Sequence, residues 1–314
     1  MSSQPTAGLP SPGRLLRDRR AEPRPEPGAA LKAEADLPLL ETLRRHWPEY
    51  GVEALFLGLL LLVAGALSAW IQAGANGHAP DPSLRRALSG VALGLLLMAL
   101  VYSPWGRRSG SHLNPAITLT YLRLGKIGRW DALFYVVAQG GAALLAVALL
   151  RSGLVLPAAS TPALLSAATG PAGAWAAFAT ELVLSAAAML LILFTSNHAG
   201  WLRWTGLLYG LLVMLIVACA APLSGFGMNL ARVLTLNSSG DATAWGWLDL
   251  LPPLLGMQLA AELYRLLPGR AQVLCAKLAH NTHGRCIFRC QHPYQTRALA
   301  MAALRRRATG RRPG

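Results

Sequence analysis

The chain has 314 residues, of which 54% are hydrophobic and only 14% are charged, yet its formal net charge is +15. An average soluble domain is about a quarter charged, so this composition indicates a membrane protein and argues against a soluble nucleic-acid enzyme. The excess charge is local, because eleven of the 29 basic residues follow Glu262 and no acidic residue follows it. Four cysteines in such a length also argue against a disulfide-stapled secreted protein.

Residues 1–45 are predicted to form a disordered, Pro/Arg-rich tail. Seven prolines lie between Pro5 and Pro38, among mixed charges and few aromatic residues. Such a segment cannot bury enough apolar surface to become ordered. It does not resemble a signal peptide, because the first long apolar run begins near Leu55 and is too long for one.

The next part of the chain, residues 46–268, contains apolar runs with lengths that suit a lipid bilayer. Six runs are long enough to span it: 50–71, 86–104, 130–150, 174–195, 202–221 and 246–267. Two further runs, 112–123 and 226–236, are too short to cross. Short apolar runs of this kind are typical of re-entrant segments that line a path or lie buried in protein.

Basic residues in the connecting loops predict the orientation, because cytoplasmic loops carry an excess of Lys and Arg. With six spans, most of these residues fall on the side that also holds both termini: Arg44, Arg45, Arg107, Arg108, Arg123, Lys126, Arg129, Arg203 and the C-terminal arginines. Arg85 and Arg86 are exceptions. We therefore expect a multi-pass protein of the cell membrane with both termini in the cytoplasm.

The two halves of this region, about 49–150 and 174–267, repeat one pattern. Each half has a glutamate, an asparagine-containing triplet and a glutamine in the same order: Glu53, Asn114-Pro115-Ala116 and Gln139 in the first, then Glu181, Asn229-Leu230-Ala231 and Gln258 in the second. Gly90 and Gly94 in the second span match Gly206 and Gly210 in the fifth. A unit of three spans must insert upside down when repeated, and inverted repeats place a site near the bilayer midplane.

The triplets predict two half-helices that begin at that midplane. Asparagine is a preferred N-cap and proline is favoured at the first helical position. Two helix N-termini that face a narrow path present positive dipole ends and amide donors, which repel cations and orient a passing hydroxyl group. Arg232, three residues after Asn229, adds a fixed donor and a fixed positive charge.

These residues resemble the aquaporin, or major intrinsic protein, family. The motifs that carry the resemblance are Ser-Gly-x-His-Leu-Asn-Pro-Ala at 109–116, Gly-Phe-Gly-Met-Asn-x-Ala-Arg at 225–232 and the two repeat glutamates. The resemblance implies an all-α membrane protein with six transmembrane helices and two re-entrant half-helices in an inverted repeat. It also implies one pore per subunit, a homotetramer, and passive transport of water or small uncharged solutes. Structural roles are expected for a group of polar residues: Glu53, Glu181, Gln139, Gln258 and His112.

In this family four positions form the narrow selectivity filter, and they correspond here to Gly94, Val217, Phe226 and Arg232, with Leu93 as the alternative to Gly94. The aromatic residue and the histidine of water-selective members are absent, which favours a wider opening for glycerol and other small neutral solutes as well as water. Leu230 replaces the second proline, and Val233 stands where glycerol channels usually carry aspartate. The residues expected at the central constriction are Asn114, Pro115, Ala116, Asn229, Leu230 and Ala231.

The C-terminal segment, 269–314, is a basic tail with a cluster of soft metal ligands: Cys275, His280, His283, Cys286 and Cys290. Cysteine and histidine suit zinc, although the spacing matches no common zinc motif. Two alternatives are acylation of the cysteines and a helix that docks on the membrane through Ile287 and Phe288. A second function is therefore also open, a non-conducting scaffold or metal-responsive sensor that acts through this tail. No catalytic residues, resident cofactor or nucleic-acid partner is expected.

Overall fold

The computed structural model describes residues 37–73, 81–154, 173–198, 200–220, 227–229, 246–267, 273–280 and 286–291. The described part is helical and contains no strand. Its helices are α1 Leu39–Ala73, α2 Pro82–Tyr102, α3 Pro104–Ser109, α4 Pro115–Arg123, α5 Arg129–Arg151, α6 Ala174–Ser196, α7 Thr205–Leu215 and α8 Gly246–Leu266. A 3₁₀ turn, Leu202–Trp204, precedes α7, and a π-helical turn, Ile216–Ala220, continues it.

Within the described residues, five helical segments are long and apolar enough to cross a bilayer: Leu39–Trp70, Pro82–Tyr102, Arg129–Arg151, Trp175–Ser196 and Leu202–Ala220. Helix α8, the sixth predicted span, has 21 residues. It is not among the five, and Asp249, Gln258 and Glu262 lower its hydropathy. The chain is thus an all-helical multi-pass membrane protein.

The pairing of the helices follows the inverted repeat. Helix α1 packs along α5 in the first half, and α6 packs along α8 in the second. Helix α2 of the first half packs along α7 of the second, its own counterpart. Two halves related by a two-fold axis bring equivalent helices together, as α2 and α7 are here. The helix contacts therefore agree with the repeat that the sequence predicts.

The α2–α7 crossing is close because glycines face each other there. A Cβ atom built on Gly94 would lie 2.6 Å from the carbonyl oxygen of Gly210, and one on Gly210 would lie 2.8 Å from that of Gly94. One on Gly90 would lie 2.7 Å from the carbonyl oxygen of Met214. Small residues let helix backbones approach in this way.

Helix α1 begins earlier than the sequence predicts. Residues 39–45, which fall in the predicted disordered tail 1–45, form its first turns. The Thr42 hydroxyl donates to the carbonyl oxygens of Leu37 and Pro38 at 3.1 and 3.0 Å, and Glu41 pairs with Arg45 one turn later at 2.6 Å. These local bonds extend the helix beyond the apolar run that the sequence marks.

Arg85 is one of the two basic residues that do not fit the predicted orientation. It is buried, and its side chain bonds the end of α1. Its Nη1 donates to the carbonyl oxygen of Trp70 at 3.0 Å. That carbonyl is one of the last four of α1, and the last four carbonyls of a helix have no intrahelical partner. A cation at a helix C-terminus also interacts favourably with the helix dipole.

The C-terminal segment folds back onto the helices. Within 273–280 and 286–291 the segment is not helical, yet most of its residues are buried. Val273, Leu278, Ile287 and Phe288 join the main hydrophobic core. The predicted alternative of a membrane-docked helix carried by Ile287 and Phe288 is therefore wrong for the described residues, because both side chains pack into the protein.

Candidate functional site

The first asparagine triplet caps a half-helix that begins inside the bundle. The Asn114 side-chain oxygen accepts from the backbone N–H of Ala116 at 2.9 Å, and Pro115 occupies the first helical position. Asn114 itself has extended backbone, as N-caps usually do. Helix α4 then runs for nine residues to Arg123, so its N-terminus and its positive dipole end lie in the interior.

The two repeat asparagines meet at this point. The Asn114 amide nitrogen donates to the carbonyl oxygen of Met228 at 2.9 Å, and the Asn229 amide nitrogen donates to the carbonyl oxygen of Leu113 at 2.6 Å. Each asparagine thus binds the residue that precedes the other. The predicted meeting of the two triplets is present at these residues. Leu230 and Ala231 lie outside the described residues.

The approach to Asn114 is strained and is held by a buried carboxylate. Gly110, Ser111 and Leu113 have φ values of 97°, 55° and 48°. Positive φ is uncommon for residues other than glycine and costs about 1–3 kcal/mol when the surroundings impose it. Such a backbone needs support from its surroundings, and Glu53 supplies hydrogen bonds that hold this loop.

Glu53 is fully buried and accepts four hydrogen bonds. Its Oε1 accepts from the Ser109 hydroxyl at 2.8 Å and the His112 N–H at 3.1 Å. Its Oε2 accepts from the Leu113 N–H at 2.7 Å and the Gln139 amide at 3.0 Å. These donors surround the carboxylate and fix the loop that leads to the half-helix.

The second half offers the counterpart of this arrangement. Glu181 is buried, and its Oε1 accepts from the backbone N–H of Gly227 at 2.7 Å, two residues before Asn229. The Gln258 amide lies 3.4 Å from the Thr120 hydroxyl. The structure thus places the repeat glutamates against the two loops, as expected, and the repeat glutamines beside the first half-helix or its loop.

His112 lies at the wall of the site with both ring nitrogens engaged. Its Nε2 lies 2.9 Å from the carbonyl oxygen of Ala276, which can only accept, so Nε2 carries the proton. Its Nδ1 then accepts from the Thr118 hydroxyl at 3.0 Å. The ring is stacked between Tyr121 and Phe288, with centroid distances of 5.2 and 5.4 Å. Two of these partners belong to the C-terminal segment.

A cavity of about 80 Å³ lies beside the paired asparagines. Aliphatic side chains form most of its wall, and polar groups enter it from the two loops. Its lining consists of Leu57, Leu60, Leu61, Ala64, Leu93, Leu97, His112, Leu113, Asn114, Tyr209, Val213, Met228 and Asn229. An apolar wall with a few aligned donors suits small uncharged molecules and offers a cation no compensating charge.

The predicted selectivity filter is only partly described. Leu93 lines the cavity, whereas Gly94 faces Met214 and the Gly210 carbonyl of α7, so the alternative position is the one on the wall. Gly94 lies at the close contact between α2 and α7, and its place in the filter stays a prediction. Val217 is buried in the π-helical turn and is not part of the cavity wall. Phe226 and Arg232 lie outside the described residues.

The predicted metal ligands converge beside His112. One ligand atom from each of Cys275, His280, Cys286 and Cys290 lies within 4.8 Å of all the others. The Sγ atoms of Cys275 and Cys286 are 3.6 Å apart, and His280 Nε2 lies 3.1 Å from Cys290 Sγ. All three cysteines are buried and reduced. His283, the fifth predicted ligand, lies outside the described residues.

The thiols of this cluster influence one another. Hydrogen bonds from Cys275 and Cys290 hold the pKa of Cys286 well below its usual range, with a further contribution from the Lys277 ammonium. Burial raises the pKa of Cys275 above its usual range. Within the cluster the thiolate form is therefore favoured at Cys286 over Cys275.

Taken together, the inverted repeat of membrane-spanning helices, the buried half-helix and the asparagine-lined cavity define a membrane channel for small solutes. The model of the family described as "Major intrinsic protein" matches residues 49–264. The chain belongs to this family, and it is a channel for water or small solutes and not an enzyme.

Known relatives and a solved structure agree with this assignment. The chain is 33% identical to aquaporin A of Dictyostelium discoideum over 68% of this chain and 76% of that protein. It is 35% identical to the lens fiber major intrinsic protein of Gallus gallus, over 71% and 84%. Its fold is similar to that of the aquaglyceroporin from Plasmodium falciparum, with a TM-score of 0.56 and 20% identity over 71% of this chain and 96% of that one.

Proposed function

We propose that the chain conducts glycerol and other small uncharged solutes, together with water, along a path that includes the cavity beside Asn114 and Asn229. The observation that carries the proposal is the pair of asparagine amides at the wall of an otherwise mainly apolar cavity. Each amide nitrogen carries two protons, and each donates to the carbonyl before the other asparagine. This anchoring fixes the direction of the amides toward a solute oxygen.

Glycerol fits such a path because its carbon backbone suits an apolar wall and its hydroxyl groups need hydrogen-bond donors on the opposite wall. Leu57, Leu61 and Leu97 supply an apolar side, and the asparagine amides supply donors on the other. Leu93 in place of an aromatic side chain leaves a flexible aliphatic group at the wall. A glycerol uptake facilitator-like protein of Lactiplantibacillus plantarum is also among the relatives, 30% identical over 57% of this chain and 83% of that protein.

We further propose that the end of the bundle that carries Arg107, Arg108, Arg123 and Lys126, here called the basic face, lies on the cytoplasmic side. Both termini then lie in the cytoplasm. Two backbone contacts support the same side for the C-terminal segment and the basic face. The N–H groups of Leu278 and Arg289 donate to the carbonyl oxygens of Gly110 and Lys126 at that face.

The proposed assembly is a homotetramer in the bilayer. Large apolar side chains are exposed on the outer faces of the spanning helices, for example Leu55, Val137, Leu145 and Val183. These faces are available to lipid and to neighbouring subunits. Native mass spectrometry of the purified protein should give four times the chain mass, and a monomer under gentle conditions would contradict this assembly.

The permeability test uses the full chain in liposomes. Stopped-flow light scattering should show faster responses to glycerol and to water gradients than in empty liposomes, in at least one of two buffers, one with and one without a zinc chelator. Arg232→Leu should change the ratio of glycerol to water permeability, because it removes the predicted donor and charge of the filter.

Arg203→Leu provides the matched control. This side chain is exposed between α6 and α7, with its guanidinium over the Trp204 ring, and its loss removes one positive charge away from the path. It should leave both permeabilities unchanged. Flux no higher than that of empty liposomes in both buffers would overturn the proposed function.

A further inference from the structure

The Cys/His cluster has the donor set of a zinc site. Three thiols and one imidazole, from Cys275, Cys286, Cys290 and His280, match the Cys₃His composition of structural zinc sites. The ligands come from two separate stretches of the segment, which the fold brings together. Three of them are buried and His280 is half-buried, so the group is closed to solvent except at one edge.

The distances also fit one tetrahedral ion. Zinc–sulfur bonds of about 2.3 Å place two sulfurs of a tetrahedron about 3.8 Å apart. The Cys275 and Cys286 sulfurs are 3.6 Å apart, and the whole set falls within 4.8 Å. A disulfide needs about 2.05 Å between the sulfurs and would use only two of the four groups.

The charge around the cluster favours a bound ion with three thiolate ligands. Zinc with three thiolates and one neutral imidazole carries a net charge of −1, and a buried negative group needs a partner. Lys277 is 1% exposed and belongs to the same stretch as Cys275. Its ammonium group acts on Cys286 electrostatically. A buried ammonium group beside three cysteines would offset the charge of such a metal site.

The segment that holds the cluster lies against the wall of the cavity at the basic face. The Leu278 N–H donates to the Gly110 carbonyl at 3.1 Å, and the Arg289 N–H donates to the Lys126 carbonyl at 3.0 Å. Ala276 accepts from His112, and Phe288 stacks on that ring. The segment thereby occupies polar groups of the loop that leads into the path.

We propose that Cys275, His280, Cys286 and Cys290 bind one zinc ion, and that this ion holds residues 273–280 and 286–291 over the basic-face end of the path. The first half of this proposal stands on the cluster alone. The second half, a segment that closes a conducting path, rests on the proposed function.

The test of the site measures zinc in the purified full chain, kept reduced and loaded with zinc chloride. About one zinc per chain is expected after removal of loose metal, and Cys286→Ser should lose it. Cys219→Ser, which alters an exposed cysteine outside the cluster, should keep it. His280→Ala provides a second variant at the half-buried edge of the cluster, with His198→Ala as its matched control, and it should weaken zinc binding.

Hydrogen exchange then tests the link to the segment without any flux measurement. The amides of Leu278 and Arg289 should exchange slowly in the zinc form, and at least about tenfold faster after chelation, because opening of the segment breaks their bonds to Gly110 and Lys126. The amides of the α4 half-helix should keep their protection in both states.

Several results would overturn the proposal. A chain that retains no zinc, or that retains it equally in Cys286→Ser, has no zinc site at these residues. If mass spectrometry finds a Cys275–Cys286 disulfide in protein purified from a reducing cytoplasm, the two cysteines form a redox pair and not part of a zinc site. Zinc binding with no change in exchange would remove the link to the segment. If the chain binds zinc and zinc slows amide exchange, but no flux occurs with or without zinc, the zinc site stands and the proposed conduction is refuted.

Discussion

The amides of Asn114 and Asn229 each donate to the carbonyl group that precedes the other asparagine, Met228 at 2.9 Å and Leu113 at 2.6 Å. This exchange joins the two halves of the repeat at one point and fixes both side chains at the cavity wall. Each of these hydrogen bonds needs only one asparagine side chain and the carbonyl group that precedes the other asparagine. The replacement of the second proline by Leu230 therefore leaves the Asn229 contact with Leu113 in place.

Two substitutions of Asn114 should distinguish its role as a helix cap from its role as an amide donor. Asn114→Ser keeps an oxygen that can cap the Ala116 N–H, but loses the donor to Met228 and the donor at the cavity wall. Asn114→Ala loses the cap as well, which costs about 1 kcal/mol more. We expect both variants to lower glycerol permeability in the liposome assay. The alanine variant should also unfold at a lower temperature than the serine variant, and equal unfolding temperatures would contradict the capping role.

The carboxylate of Glu53 should be required for stability. Glu53→Gln has the same shape, but its amide group would face N–H donors such as those of Leu113 and Gln139 and leave them without an acceptor. Unsatisfied buried groups cost about 1–3 kcal/mol each, so we expect a clear fall in thermal stability in detergent. Glu262→Gln is the control, because that side chain pairs with Arg123 at an exposed site and should change stability little. Equal stability of the two variants would argue against the loop-holding role.

The sequence predicted the parts of the site that depend on capping, repeats and buried charge. An asparagine before a proline predicts a helix start, and the second copy predicts where it meets a partner. Glu53 in an apolar span requires donors, and the structure supplies them from the loop. By contrast, the wall position in α2 depends on helix rotation. Neighbouring helical residues differ by about 100° in direction, so an error of one residue in the count exchanges Leu93 for Gly94.

Leu93 and Gly94 should behave differently when altered. Leu93→Ala enlarges the cavity and should raise glycerol permeability relative to water. Gly94→Ala places a Cβ atom 2.6 Å from the Gly210 carbonyl, a backbone atom that cannot move away cheaply. Overpacking of this kind costs about 1–3 kcal/mol, so this variant should lose thermal stability or folded yield. A change of selectivity in Gly94→Ala with unchanged stability would instead support a place for Gly94 in the filter.

The C-terminal segment shows what a local pattern cannot predict. Its ligands are present in the sequence, but their spacing matches no common zinc motif because they come from two separate stretches of the segment. The sequence left open a helix that docks on the membrane through Ile287 and Phe288, whereas the described residues of the segment are not helical. Long-range bonds decide this path: Asn197 accepts from the Leu274 N–H at 2.6 Å, and Gly110 accepts from Leu278. No window of neighbouring residues contains those partners.

Phe288→Ala should open the path while the metal site stays loaded. The ring is fully buried and stacks on His112, but it contributes no ligand to the cluster. Burial of a phenylalanine side chain contributes about 1.5–3 kcal/mol, and each 1.4 kcal/mol changes an equilibrium about tenfold. If the segment closes the path, its open population should therefore rise about tenfold or more, and glycerol permeability should rise with it.

The control for this last variant is Ile287→Ala, which removes a similarly buried side chain from the same segment without altering the ring on His112. Because the ring contact with His112 remains in Ile287→Ala, its permeability should rise less than that of Phe288→Ala, and both should retain about one zinc per chain. Chelation should raise the permeability of the unaltered chain toward that of Phe288→Ala, because both treatments release the same contact. If Phe288→Ala keeps its zinc and its permeability stays at the unaltered level, the segment does not close the path, and the zinc site then serves only to anchor the chain at the basic face.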